Sequence, residues 1–230
     1  MNAIMSDADL LAGVPLFASL KPEYLADLAG KLAVRNYRRG ETIFHKDDPG
    51  STLYIIETGQ VKITSTSPEG EEVILDILKD GDFFGELSLL DGKPRSASAA
   101  TMEATKARVL HRDDFLEVIT RHPEPVGDVL AAVAERLRRA DLLLEDAIFL
   151  DLSARLAKRL LELSEKHGVT TERGLEIDLR LTQQDLANFV GASRVAVNKL
   201  LGSFQDKGLL AIEKHRLIIL RPDELRKRIY

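Results

Sequence analysis

Residues 182–208 read TQQDLANFVGASRVAVNKLLGSFQDKG, and the punctuation of that stretch decides the C-terminal fold. Thr182, with Asp185 three positions on, has the form of an N-terminal capping box. Leu186, Ala187 and Val190 fall on one helical face. Gly191 breaks the run, and Ser193 suits the cap of a second helix whose Val197, Leu200, Leu201 and Phe204 point inward. Gly208 supplies that helix's end. Two short helices around a Gly-containing turn make a helix-turn-helix. The next residues, LLAIEKHRLIILRP (209–222), read as a β-hairpin with a polar tip at Glu213–Arg216, in the position of a wing.

In a helix-turn-helix the first residues of the second helix meet base edges in the major groove. Here the outward residues after Ser193 are Arg194, Val195, Asn198 and Lys199. Arg194 suits a bidentate contact with guanine O6 and N7, Asn198 an adenine edge or a phosphate, Lys199 guanine or phosphate. Thr182 and Gln183 open the first helix, where backbone N–H groups face phosphates. Lys214, His215 and Arg216 at the wing tip would add backbone contacts. The alternative is an αα-hairpin with a solvated basic face. Charge favours DNA: residues 151–230 hold 15 Lys and Arg against 11 Asp and Glu, while the remainder holds 17 against 26. A chain of net charge −5 thus carries a basic C-terminal part, as an anionic partner requires.

Working back, Leu152–His167 reads as a helix ended by Gly168, with a short strand near 175–181. Residues 149–151, FLD, read as a hinge. A long helix is expected over 124–148, where Leu130, Val133, Leu137, Ala140, Leu144 and Ala147 alternate at steps of three and four, an a/d seam. Arg136, Arg138, Arg139, Asp141, Glu145 and Asp146 leave only a narrow apolar stripe, which suits a dimer seam better than packing on its own domain. Residues 112–121 read as another helix, as do 7–12 and 21–32. Between 34 and 110, short β-branched or alternating runs (TIFHK, LYIIE, VKITSTS, EEVILDIL, ARVLHR) are separated by turn signals such as DDPG and SPEG. Many short strands at near-regular spacing predict a β-sandwich or barrel, with a jelly roll the leading form.

Within that β region, residues 83–98, FFGELSLLDGKPRSAS, frame an acid and a base with Gly85 and Ser96. Residues 86–90 read as one helical turn behind Gly85, where the missing side chain lets an anion approach. Arg95 offers a fork suited to phosphate, and Ser96 a hydroxyl donor. Glu86 would repel an anion unless the ligand also carries a hydroxyl donor at a fixed distance, as the ribose of a cyclic nucleotide does. The other reading is a Glu86–Arg95 ion pair closing the loop, which stabilises little when exposed.

There is no Cys, so disulfides, thiolate zinc, iron–sulfur ligation and Cys nucleophiles are excluded. The five His (45, 111, 122, 167, 215) are scattered, and no metal site or catalytic constellation is visible; an enzyme is not expected. No apolar run reaches the ~20 residues of a membrane span. The first residues lack a signal peptide's basic and apolar regions, so a cytoplasmic location is expected.

The segment GELSLLDGKPRSA (85–97) resembles the phosphate-binding cassette of cyclic-nucleotide-binding domains. With the long helix, the FLD hinge and VGASRVAVNKLL (190–201), the whole chain resembles a CRP/FNR-family transcription regulator. The resemblance implies an α+β chain: a cyclic-nucleotide-binding β jelly roll with short N-terminal helices over 1–122, a dimerisation helix over 123–148, the hinge at 149–151, and a winged helix-turn-helix DNA-binding domain over 152–230. It implies a homodimer that binds cyclic AMP, then a palindromic promoter site on double-stranded DNA, with RNA polymerase as a further partner. Carried over by position, Gly85, Glu86, Arg95 and Ser96 hold ribose and cyclic phosphate, with Leu87, Ser88 and Ala97 beside them. Arg194 and Lys199 would be the base or phosphate contacts of the recognition helix, and Thr182, Gln183, Ser193, Val195, Asn198 and Lys214 are the other candidate DNA contacts.

Three departures stand out. Cyclic-AMP-binding members of the family place a Thr and then a Ser on the long helix against the adenine amine, where this chain has Ala140 and Asp141. Val195 replaces a Glu that accepts from cytosine, and it suits a thymine methyl instead. Two alternatives therefore stay open. The regulator is ligand-independent or answers cyclic GMP or a cyclic dinucleotide, or the chain is a cyclic-nucleotide-binding protein acting through protein partners.

Overall fold

The short apolar runs of the N-terminal half pair into two four-stranded antiparallel sheets. The computed structural model describes residues 6–213 and 216–229. It divides into two compact units, one of residues up to 65 with 75–139, the other of 66–74 with those from 140 onward.

In chain order the N-terminal half contains α1 (Asp7–Ala12), a 3-10 turn at Pro15–Phe17, α2 (Pro22–Ala29), β1 (Ala33–Tyr37), β2 (Thr42–Phe44), β3 (Thr52–Thr58), β4 (Val61–Thr66), β5 (Glu72–Leu78), β6 (Phe83–Phe84), α3 (Glu86–Asp91), β7 (Ser98–Thr101), β8 (Thr105–His111) and α4 (Arg112–Arg121). The sheets run β1-β8-β3-β6 and β2-β7-β4-β5, the paired sheets of a jelly roll. β3 buries Leu53 and Ile55 and then also Ile56, which breaks the alternation. Successive strand side chains point to opposite faces, so burial of both Ile55 and Ile56 means that β3 is covered on both faces; its register with β8 shifts only beyond them, between Ile56 and Thr58. Leu53 and Ile55 pack on the helical side with Leu11, Leu16, Phe17, Leu28 and Phe115. Ile56 joins Val61, Leu78, Phe84 and Ala99 in a second apolar cluster. The strands β1, β6 and β7 did not stand out in the sequence. β1 is mostly exposed, β6 is two residues long, and β7 is built of small side chains.

The long helix α5 spans Val126–Phe149. Asp151 caps the next helix, α6 (Leu152–His167), by accepting from the Ala154 N–H at 2.8 Å. At residues 149–151, read as a hinge from the sequence, Phe149 closes α5 and Leu150 alone separates it from the Asp151 cap. Asp146, expected on the solvated face of α5, is buried instead, because Lys158 Nζ lies 2.6 Å and Arg159 Nη2 3.8 Å from its carboxylate.

The rest of the second unit contains β9 (Gly168–Thr171), β10 (Gly174–Ile177), α7 (Gln183–Val190), α8 (Arg194–Asp206), β11 (Leu210–Glu213), β12 (Arg216–Ile219) and α9 (Pro222–Arg226). The single strand expected near 175–181 is a β9–β10 hairpin ending at Ile177. Gly168 both follows α6 and opens β9, since a Cβ there would lie 2.0 Å from the Ser164 carbonyl oxygen. The wing strands are joined to it in the order β11-β12-β10-β9. Among the described residues, no helix is long and apolar enough to cross a membrane.

Candidate functional site

The cleft of the first unit is built where β6 hands the chain to α3. Gly85 caps α3 at φ 84°, ψ 7°, a left-handed conformation that glycine adopts freely. A Cβ there would stand 2.6 Å from Arg95 Nη1 and 2.9 Å from the Thr52 carbonyl. The glycine therefore makes room for Arg95, rather than only for an approaching anion. Gly50 does the same from the other side, because a Cβ on it would meet Ser88 Cβ at 2.5 Å and Arg95 Nε at 2.9 Å. Gly50 had been legible only as a turn residue.

Arg95 is 4% exposed. Its backbone is tied to the β2–β3 loop, with Arg95 N–H donating to Asp48 O at 2.9 Å and Asp47 N–H to Arg95 O at 2.8 Å. Its Nη1 donates to Thr52 O and Gly85 O, both at 2.9 Å, and Nη2 to Thr52 Oγ1 at 2.7 Å. The guanidinium carbon lies 4.3 Å from the Phe44 ring centroid and 5.7 Å from that of Tyr54, which stacks on Phe84 at 5.0 Å. Burial lowers the Arg95 pKa, opposed by the Tyr54, Glu86 and Asp48 charges. Its Nε is buried and has no hydrogen-bond partner.

Glu86 is 2% exposed. The Glu86–Arg95 ion pair weighed from the sequence is not formed, because each group has other partners. Glu86 Oε1 pairs with Arg136 Nε at 2.9 Å, and Arg136 Nη2 donates to the Phe83 carbonyl at 3.3 Å. Arg136 had been placed on the solvated face of α5. Its signal in the sequence was indirect: a buried carboxylate needs a cation, and Arg95 was the one near in sequence. Burial raises the Glu86 carboxyl above its ordinary 4.5. Arg136, the Glu86 backbone N–H, Arg95 and the Leu87 backbone N–H pull it back, in that order. Glu86 Oε2 is buried without a hydrogen-bond partner.

The cleft holds about 350 Å³ with its open mouth counted. It gathers Gly85, Glu86, Leu87, Ser88, Arg95, Ser96 and Ala97 of the expected residues, with Arg136 from α5 and Phe44, Ile63 and Phe84 as apolar lining. Ala140 and Asp141 lie one turn further along α5, exposed and in the second unit; they are not gathered into it. Leu130, Leu137, Leu144 and Ile148 on the same helix are 61–65% exposed.

The second candidate site is the start of α8. Thr182 Oγ1 accepts from the Asp185 N–H at 3.0 Å and Asp185 Oδ2 from the Thr182 N–H at 2.9 Å, a complete capping box. Gly191 ends α7 at φ 61°, and Ser193 Oγ accepts from Ala196 N–H. Leu186, Ala187, Val190, Val197, Leu201 and Phe204 are buried between the helices and their sheet; Leu200, expected among them, is half-buried. Arg194, Val195 and Lys199 are exposed, Val195 at 80%. Asn198 is half-buried and, with Arg194, donates to the side chain of Gln183. On the wing, Arg216 is exposed and pairs with Glu176 at 3.3 Å. Lys214 and His215 lie outside the described residues.

Comparison with known proteins covers both sites. The Cyclic nucleotide-binding domain family matches residues 34–122, and the Crp-like helix-turn-helix domain family matches 154–228. The CRP-like cAMP-activated global transcriptional regulator of Mycobacterium tuberculosis is 37% identical over 220 residues, 96% of this chain and 98% of that protein. The Cyclic AMP receptor protein of Thermus thermophilus is 35% identical over 202 residues, 88% of this chain and 90% of that one. A solved mutant of CooA from Carboxydothermus hydrogenoformans superposes with a TM-score of 0.76 over 94% of this chain and 96% of its own, at 20% identity, and so shares the fold.

Proposed function

The chain belongs to the CRP/FNR family of ligand-responsive transcription regulators, and from that premise we propose that it binds cyclic AMP in the Glu86–Arg95 cleft and then a palindromic DNA site as a homodimer. One observation carries the ligand reading. A buried acceptor, Glu86 Oε2, and a buried donor, Arg95 Nε, are both left without a partner in one cleft. Orphan buried polar atoms are rare because each costs a full desolvation penalty. A ribose 2′-hydroxyl supplies the donor that Glu86 lacks, and a cyclic phosphate supplies the acceptor for Arg95. The cAMP-activated relatives support adenine as the base.

The coupling follows from Arg136. A 2′-hydroxyl on Glu86 changes the carboxylate that Arg136 of α5 holds, so the ligand favours one setting of α5 over another. A ligand shifts such an equilibrium only by its differential affinity for the two settings. The exposed Leu130, Leu137, Leu144 and Ile148 form the seam on which a second copy packs. The dimer then presents two α8 helices about 34 Å apart, one turn of DNA, and acts there through RNA polymerase in the cytoplasm.

Ala140 and Asp141 favour a second reading of the base. A carboxylate accepts two N–H groups from the Watson–Crick edge of guanine and only one from adenine, so cyclic GMP competes as the ligand. Calorimetric titration with cyclic AMP and cyclic GMP, on wild type and Arg95→Ala, decides. Cyclic AMP binding at least ten-fold tighter than cyclic GMP, and lost in the variant, is expected; no binding of either nucleotide would overturn the ligand reading.

A further inference from the structure

Gln183 opens the first helix of the helix-turn-helix, where backbone N–H groups are expected to face phosphate. Its side chain is engaged with α8. Gln183 Oε1 accepts from Arg194 Nε at 3.4 Å, from Arg194 Nη2 at 3.1 Å and from Asn198 Nδ2 at 2.9 Å. Arginine carries only donors, so the Gln183 atom facing it is the oxygen, and the Asn198 atom sharing that oxygen is its nitrogen. Asn198 Oδ1 is then turned inward, where it is buried without a partner.

We propose that Gln183 is a positioning residue for DNA sequence readout, which holds the side edge of the Arg194 guanidinium so that its end-on fork alone faces the base. This inference rests on the DNA-binding reading above. A guanidinium has two forks, one of Nε with Nη2 and one of Nη1 with Nη2. Gln183 occupies the first, and the second matches guanine O6 and N7. The holder is itself fixed, because Gln183 is the first residue of α7, directly after the Thr182 cap and inside the Thr182–Asp185 capping box. Arg194 has several rotatable bonds and is exposed, so without a holder its fork is ordered only when DNA arrives. Asn198, whose amide nitrogen is bound to Gln183, supports the arginine rather than reading adenine.

The test uses the full-length protein with cyclic AMP. Wild type selects duplexes from a random pool, and each base pair of the selected site is then replaced in turn. Arg194→Ala identifies the pair that Arg194 reads. At that pair Gln183→Ala is expected to lose about 3- to 10-fold in discrimination, the cost of freezing one long side chain on binding. Asn198→Ala is expected to lose part of the same discrimination. Gln183→Glu keeps the acceptor and retains the discrimination. Affinity for unrelated duplex and the melting temperature are measured alongside, and the discrimination is the ratio of specific to unrelated binding, which a general loss of affinity or stability does not move. Three results would overturn the inference: wild-type discrimination by Gln183→Ala at that pair, a uniform loss across all duplexes with the salt slope unchanged (the mark of an uncharged phosphate contact), or no base pair sensitive to Arg194→Ala. A pool that yields no selected site would sink the DNA-binding reading itself.

Discussion

The cleft and the recognition face hold their charged groups in opposite ways. In the cleft, Glu86 and Arg95 are 2% and 4% exposed, and each keeps one buried polar atom unpaired. On α8, Arg194 is exposed and tied to a neighbouring side chain. A small ligand that is largely engulfed is met by groups already stripped of water, so the folded protein carries the desolvation cost in advance. A duplex is met by exposed groups, which gain from orientation and from counterion release. The cleft should therefore depend steeply on single residues, while the recognition face should respond in smaller steps.

The largest effect is expected from Arg95→Ala. It removes the donor for phosphate and also the side-chain hydrogen bonds to Thr52 O and Gly85 O. Loss of a buried charged hydrogen-bonding group costs about 2–5 kcal/mol, so calorimetry should show cyclic AMP affinity falling by at least about 30-fold. A variant that binds as wild type would show that the cleft is not the ligand site. Next comes Gly85→Ala, which forces a Cβ at φ 84° against Arg95. A melting temperature lowered by the equivalent of about 1–3 kcal/mol, together with weakened ligand binding, is the expected pair of results.

The contrast is also visible in what could be read before the structure. The capping box, the Gly191 turn and the Ser193 cap are local devices, each written within a few residues. The HTH helices therefore fell where their sequence placed them. The a/d spacing from Leu130 to Leu144 gave α5 in the same way. The cleft depends on contacts over long sequence distance. Arg136 meets Glu86 across 50 positions of chain, Thr52 meets Arg95 across 43, and no periodicity carries such pairings. Hence the acid and the base are legible in the sequence, while the Arg136 that holds Glu86 and the Thr52 that holds Arg95 are not. Asp146 was missed for a related reason: its cations come from the helix beyond the hinge.

A dimer seam of exposed leucines gives a third test. Leu137→Glu puts a charge into an apolar a/d contact, and sedimentation should show a monomer with DNA affinity at its non-specific level; an intact dimer would mean that the seam lies elsewhere. The pH dependence separates the two sites further. Burial raises the Glu86 pKa above 4.5, so lowering pH toward that raised value protonates the acid of the cleft. Cyclic AMP affinity should fall as pH drops through that raised value, and Glu86→Gln should bind more weakly but without the slope. For folding the sign is reversed. The ionised, buried carboxylate costs stability above its raised pKa, and that cost is relieved as pH falls toward 4.5. The smallest expected effect is Lys199→Ala. If Lys199 meets phosphate, binding weakens uniformly across sequences and the salt slope falls by about 1; a change confined to one base pair would make it a base reader instead.

The central claim is that a cyclic nucleotide held by Glu86 and Arg95 governs DNA binding at α8. Fluorescence anisotropy of a selected duplex, titrated with wild type and with Arg95→Ala, each with and without saturating cyclic AMP, tests it most directly. The account predicts at least ten-fold tighter binding with cyclic AMP for wild type and no response from Arg95→Ala. Equal affinity with and without the nucleotide for wild type would contradict it.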